Sequence, residues 1–156
     1  MIILGIDPGY ERLGIAVISK EERSKEVLLF SECFKTSSKL LFYERIVLLG
    51  EEVARVIKEF KPEVLAIENL FIEKNQKTAM RVSEARGVIL YEASKNGLFI
   101  KEFTPLQIKL AVTGHGKSDK KSVAKMLPLL IKINKKIDHD DEYDAIAVAW
   151  AGLSTR

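Results

Sequence analysis

Two runs in this chain end in the same way: Ile2-Ile3-Leu4-Gly5-Ile6-Asp7 and Val64-Leu65-Ala66-Ile67-Glu68. Each is short, β-branched and apolar until its last residue, the pattern of a strand covered on both faces. Each then stops on a lone carboxylate, and burying an unpaired charge there is costly unless something compensates it. Either each acid caps a nearby backbone donor, or the two strands are neighbours and their acids meet at one end of a sheet.

The sequence between them favours the second arrangement. Pro8-Gly9 breaks the first strand, a second is expected over 13–18 and a third over 26–34, with connections short enough for an antiparallel meander. Ser37 or Ser38 offers a helix cap, and Phe42, Ile46, Leu49, Val53, Val56 and Phe60 recur at helical spacing until Lys61-Pro62 stops them. A helix crossing back to 63–68 is the kind of connection that lays a parallel strand beside the first. Further helices are expected from about 75 to 95, from Thr104-Pro105 to about 112, and from Ser118-Asp119 on, the last kinked or ended near Pro128. A short fifth strand is expected over 98–100. The expected class is therefore α/β: a mixed five-stranded sheet, three strands in a meander and two parallel, with helices on both faces.

Near the C-terminus, Asp138-His139-Asp140-Asp141-Glu142-Tyr143-Asp144 leads into an alanine-rich apolar helix able to lie close on a sheet. An acidic first turn favours the helix dipole, which is reason enough for many such clusters. Asp141 and Asp144, however, stand three apart and project from one helix face. With Asp7 and Glu68 they make four hard oxygen donors, a set suited to Mg²⁺ or Mn²⁺ rather than zinc. Two such ions about 4 Å apart serve in-line phosphodiester hydrolysis. His139 or Asp140 stands close enough to replace Asp141 as a ligand.

Charge points the same way. The chain carries a net +3, yet residues 101–136 hold nine lysines against Glu102 and Asp119. A basic stretch running into an acidic cluster fits an anionic polymer gripped beside a metal pocket, and equally a solvated lysine-rich surface. A single cysteine, Cys33, excludes an internal disulfide, and the N-terminal apolar run is too short for a signal sequence. No run approaches membrane-spanning length. A cytoplasmic protein of one domain over 1–156 is expected, with no membrane association.

The ordered set Asp7-Pro8-Gly9-Tyr10-Glu11-Arg12-Leu13-Gly14, Glu68-Asn69-Leu70-Phe71, Ala85-Arg86-Gly87-Val88, Gln107-Ile108-Lys109, Gly114-His115-Gly116-Lys117-Ser118-Asp119-Lys120 and Asp141-Glu142-Tyr143-Asp144-Ala145-Ile146-Ala147 resembles the RuvC-type Holliday junction resolvases of the ribonuclease H-like superfamily. The resemblance spans nearly the whole chain, and its specificity lies in the order rather than in any one motif. It implies metal binding and catalysis at Asp7, Glu68, Asp141 and Asp144, with two ions per site. It implies junction opening by base stacking on Phe71, and basic active-site residues at Lys109 and Lys120. Lys121 adjoins Lys120 and competes for that role, and Arg86 falls in a matching motif as a DNA contact. Ser122 departs from the family, whose members often have glutamine there. His115, between two glycines, reads as a loop residue or phosphate contact.

Ala79, Ser83 and Gly87 form a small-residue stripe on the 75–95 helix, where the resemblance implies a homodimer facing two strands of a four-way junction. The implied activity is paired nicking that leaves 5′-phosphate and 3′-hydroxyl ends, in recombination and repair, with RuvA- and RuvB-like branch-migration proteins as prospective partners. Other readings are a YqgF-like RNA-processing nuclease, a non-catalytic DNA-binding module, and an actin- or sugar-kinase-like ATPase suggested by Asp7, Gly9 and Gly14. The last needs a second phosphate loop, which the chain lacks, so no nucleotide cofactor is expected.

Overall fold

The computed structural model describes residues 1–21, 24–70 and 76–155. Its elements run β1 (Ile2–Asp7), β2 (Arg12–Ser19), β3 (Val27–Lys35), α1 (Phe42–Phe60), β4 (Val64–Glu68), α2 (Gln76–Lys95), β5 (Phe99–Phe103), α3 (Pro105–Thr113), α4 (Lys120–Leu130) and α5 (Asp140–Ser154). The sheet order is β3-β2-β1-β4-β5, with β1–β2–β3 antiparallel and β4 and β5 parallel to β1. This is the mixed sheet expected from the meander and the crossover. Ile6 pairs with Ile67 across β1 and β4, so the next residues on each strand, Asp7 and Glu68, emerge side by side.

Alternation of side chains assigns the two faces. Leu4, Ile6, Leu13, Ile15, Val17, Leu65 and Ile67 pack under α1 and α2 with Leu49, Val53, Ala85 and Ile89. Ile3, Ala16, Ile18, Val64 and Ala66 pack on the opposite face against α3, α4 and α5. Asp7 and Glu68 are in register with that second set, so their carboxylates point to the α5 side.

Small residues let α5 come very close to the sheet. A Cβ placed on Gly5 would stand 2.5 Å from both the carbonyl oxygen of Ala145 and the Cβ of Ala149. One placed on Gly14 would run into the carbonyl oxygen of Asp141. Glycine at these two positions is therefore what allows the helix backbone to rest on β1 and β2.

The helix ends follow local chemistry. Thr104 caps α3 through its hydroxyl on the Gln107 amide, and Asp119 caps α4 through Ser122 at 2.8 Å. The helix α4 runs two residues past Pro128 before ending, as a proline near its end predicts. At α1 the expected serine cap is corrected. The hydroxyl of Ser37 accepts from the Lys39 amide in a turn of its own, and the helix starts at Phe42, where the Glu44 carboxylate takes the Leu41 amide at 2.7 Å. The strand expected over 98–100 runs on to Phe103, because β4 offers it a parallel partner along its whole length. No helix among the described residues is long and apolar enough to cross a membrane.

Candidate active site

The C-terminal ends of β1 and β4, the N-terminal turn of α5 and helices α3 and α4 enclose a cleft of about 290 Å³. Asp7, Glu68 and Asp144 line it on the acidic side, and Lys109 and Lys120 on the basic side. Burial pushes the Asp7 carboxyl up to about 7, helped by the negative charges of Asp144, Glu68 and Asp141 and opposed by Lys120. Glu68 is raised too, chiefly by burial and then by Asp144, while Lys120 and Lys109 pull it down. The cleft is thus a place where negative charge has been accumulated against its own repulsion.

The two candidate ligands on α5, Asp141 and Asp144, each have a cationic partner. Lys120 Nζ donates to Asp144 Oδ2 at 2.8 Å, and this bond holds the lysine above its ordinary pKa. Asp141 does not line the cleft; its Oδ2 lies 2.9 Å from the Arg12 guanidinium, and the Cys33 thiol donates to it at 3.6 Å. Neither His139 nor Asp140 lines the cleft; His139 is the residue from which α5 starts. Among the described residues, no three Asp, Glu, His or Cys side chains converge tightly enough to form a closed metal shell. Two of the four acids are engaged by cations of the chain itself, Asp141 by Arg12 and Asp144 by Lys120. The donor chemistry still fits a divalent ion: carboxylates only, one of them buried and destabilised as an anion by its neighbours.

The other sequence-predicted residues divide. Lys121, one position past Lys120, is exposed and away from the cleft lining, so Lys120 is the lysine that reaches the acids. Replacing Lys120 with methionine is expected to slow strand cleavage by roughly 10²-fold or more, while Lys121→Met changes it only a few-fold, measured as single-turnover rates. Arg86 is engaged within the fold: it donates to the Glu68 carbonyl and to Asn69 Oδ1, both at 3.2 Å, and pairs with Glu102. It braces the end of β4 that carries Glu68. Phe71 lies outside the described residues.

Two features of the site went unassigned in the sequence. One is Arg12, whose even-numbered place on β2 puts it on the same face as Gly14 and Ala16, a signal that alternation alone carries. The other is Glu142, buried beside Asp141, where it accepts from Ser31 Oγ and Lys135 Nζ at 2.7 Å each. These bonds tie the first turn of α5 to β3. Nothing in the local sequence separates this structural acid from the other acids of its cluster.

The loop between β1 and β2 is fixed as well. The Thr36 hydroxyl donates to the Tyr10 carbonyl at 2.5 Å, and the buried Arg45 donates to Thr36 at 2.8 Å. Arg45 also lies 5.1 Å from the centre of the Tyr10 ring. The chain leaving Asp7 is therefore held on the α1 side.

Sheet order, helical layers and an acidic cleft at the sheet's end define a ribonuclease H-like nuclease. Residues 3–151 match the family model described as crossover junction endodeoxyribonuclease RuvC, and the chain belongs to that family. A relative of that name from Thermosipho melanesiensis is 47% identical over 150 residues, covering 96% of this chain and 95% of the relative. Another from Halothermothrix orenii is 39% identical, covering 96% and 90%. Among solved structures, Thermus thermophilus RuvC superposes with a TM-score of 0.90 at 31% identity, covering 99% of this chain and 94% of that one. The T. thermophilus protein in complex with a Holliday junction substrate gives 0.91 at the same identity, covering 98% and 93%.

Proposed function

We propose that this chain is a structure-selective endodeoxyribonuclease that resolves four-way DNA junctions by metal-dependent phosphodiester hydrolysis. The observation that carries the reading is the buried Asp7 set beside Glu68 and Asp144 in a cleft edged by two lysines. It is supported by the likeness to a RuvC solved with a Holliday junction substrate. Asp7, Glu68, Asp141 and Asp144 are the proposed holders of two Mg²⁺ ions, with Mn²⁺ as a substitute. Divalent ions held by these carboxylates would supply activation of a water and stabilisation of the departing 3′ oxygen, the chemistry that leaves 5′-phosphate and 3′-hydroxyl ends.

The residues of the chain have separate tasks. Asp7, central to the acidic cluster and least able to keep its charge alone, gives an incoming divalent ion its strongest local gain. Lys120 exchanges its bond with Asp144 for the scissile phosphate, and Lys109 faces Glu68 across the cleft; both stabilise charge that develops on the phosphoryl oxygens. Lys109, Lys117, Lys120, Lys121 and Lys125 all lie on α3, α4 and the loop between them, a basic rim suited to the duplex backbone. Lys101, Lys135 and Lys136 from the same stretch are engaged elsewhere, on Gly152 and Thr155, on Ser31 and Glu142, and on Asp138. Arg86 contributes by holding Glu68 in place, and Phe71, close after Glu68 in the sequence, stacks on a base opened at the crossover.

A homodimer through α2 completes the proposal. Met80 and Tyr91 are 64% and 62% exposed on that helix, with Ser83 and Gly87 exposed between them and nothing within 4 Å of a Cβ at Gly87. A two-fold dimer matches a junction cut on two symmetry-related strands. We place the enzyme in the cytoplasm as one nuclease domain, with RuvA- and RuvB-like branch-migration proteins as partners. The test is cleavage of a four-way junction, a linear duplex of the same sequence and a structured RNA, each with and without Mg²⁺. Only the junction should be cut, only with the metal, and symmetrically; equal cutting of the RNA would instead favour an RNA-processing nuclease.

A further inference from the structure

The four acids are not equally free to meet a ligand. Asp7, Glu68 and Asp144 line the cleft, whereas Asp141 stands beside it with Arg12 at 2.9 Å and the Cys33 thiol at 3.6 Å. Its backbone is held where it is: its carbonyl rests against Gly14 and the next residue, Glu142, is anchored to Ser31 and Lys135. The Asp141 side chain, held by one half-exposed ion pair and a thiol contact, is the freer part. Burial raises the pKa of Cys33, so it remains a neutral donor and Arg12 supplies the only full positive charge within ion-pair distance of that carboxylate among the described residues.

We propose that Arg12 is an internal counter-ion that competes with a divalent cation for Asp141, so that this carboxylate joins the cleft only when an ion displaces the guanidinium. The inference rests on the metal-dependent reading above. Arg12 is half exposed, and an ion pair of that kind is weak and screened by salt, so a divalent ion held also by Asp7 can exchange with it. The arrangement solves a stability problem in the ion-free protein. Four unneutralised acids, Asp7 among them, would repel one another, and Arg12 and Lys120 each neutralise one of the two candidate ligands on α5. Once an ion is bound, the two cations differ in their roles. Lys120 lines the cleft and stays beside the phosphodiester, while Arg12 stands outside it and acts only through the availability of Asp141. Arg12 is thus a positioning residue that sets how readily the ion dependent on Asp141 is taken up.

The experiment titrates Mn²⁺ into DNA-free protein and reads free Mn²⁺ by electron paramagnetic resonance. Wild type, Arg12→Gln, Arg12→Lys, Asp141→Asn and the Arg12→Gln/Asp141→Asn double variant are compared. Removing a positive charge next to a ligand should tighten the weaker Mn²⁺ site by roughly three- to tenfold, and the gain should shrink in high KCl. Arg12→Lys should behave like wild type, and the gain should vanish in the Asp141→Asn background. Arg12→Gln binding no more tightly, or keeping its gain without Asp141, overturns the proposal. In wild type, the Arg12 Nε–Hε resonance should also move in step with a Mg²⁺ titration, and an unmoved signal at saturation overturns it independently. If neither wild type nor Arg12→Gln takes up Mn²⁺, the metal-dependent reading fails and this inference with it; a wild type that binds while Arg12→Gln shows no gain sinks this inference alone.

Discussion

An Asp7→Asn variant is expected to lose junction cleavage by roughly 10³-fold or more, and yet to be more stable than wild type at pH 8 when no metal is present. The two effects have one origin. The Asp7 carboxyl titrates near 7 in the folded protein against an ordinary 3.8, because burial and the charges of Asp144, Glu68 and Asp141 all oppose its ionisation. Between those two values the native state holds a proton that the unfolded chain has already lost. Stability from this group therefore falls as pH rises through that window, and the whole penalty is present above about pH 7. Three pH units correspond to about 4 kcal/mol as an upper figure, so a gain of about 2–4 kcal/mol is expected for the asparagine at pH 8, fading towards pH 4. Saturating Mg²⁺ narrows or closes the gap: at a hundred times its Kd a ligand stabilises by about 2.7 kcal/mol, and only wild type should collect it. Urea denaturation at pH 5 and pH 8, with EDTA and with Mg²⁺, checks all four values. A variant no more stable than wild type in EDTA at pH 8 would show that Asp7 is not under electrostatic load.

The contrast between what could and could not be read from the chain has the same physical root. Asp7 and Glu68 were visible because each breaks an apolar run, and strand periodicity with a crossover then fixes their relative place. Asp144 was visible because helical spacing ties it to Asp141. Those are local patterns with long-range consequences. The engagement of Asp141 by Arg12 and Cys33 was not visible, since it depends on how α5 lies across β2 and β3. Glu142 looked like its acidic neighbours, and only the tertiary position of Ser31 and Lys135 makes it structural. Lys120 and Lys121 differ by one step along a helix start, and which of them faces the acids is decided by the seating of α4, not by residue type. Arg86 shows the reverse: it falls in a motif of DNA-binding proteins, but its hydrogen bonds go to the strand end beneath the site.

If α5 carries half of the acids, its seating on the sheet should control chemistry more than stability does, and Gly14→Ala tests this. A methyl there meets the carbonyl oxygen of Asp141 inside van der Waals contact and stands 3.2 Å from the Cβ of Asp7, so it presses between the two groups that must act together. Backbone cannot yield as a side-chain tip can, so the first turn of α5 has to lift. Overpacking of this sort costs about 1–3 kcal/mol. A displacement on the order of 1 Å at reacting groups costs roughly 10²-fold in rate. Gly152→Ala is the matched comparison, because its methyl would lie 2.7 Å from the Cβ of Ala66 and 3.3 Å from Ile3, near the other end of the same helix. Both variants should lose stability by similar amounts in urea denaturation. Single-turnover cleavage by the folded fraction should fall about 10²-fold for Gly14→Ala and by only a few-fold for Gly152→Ala. Equal losses of rate in the two would mean that α5 responds as a rigid rod whose tilt, rather than the local fit of its first turn on β2, sets the acids against Asp7.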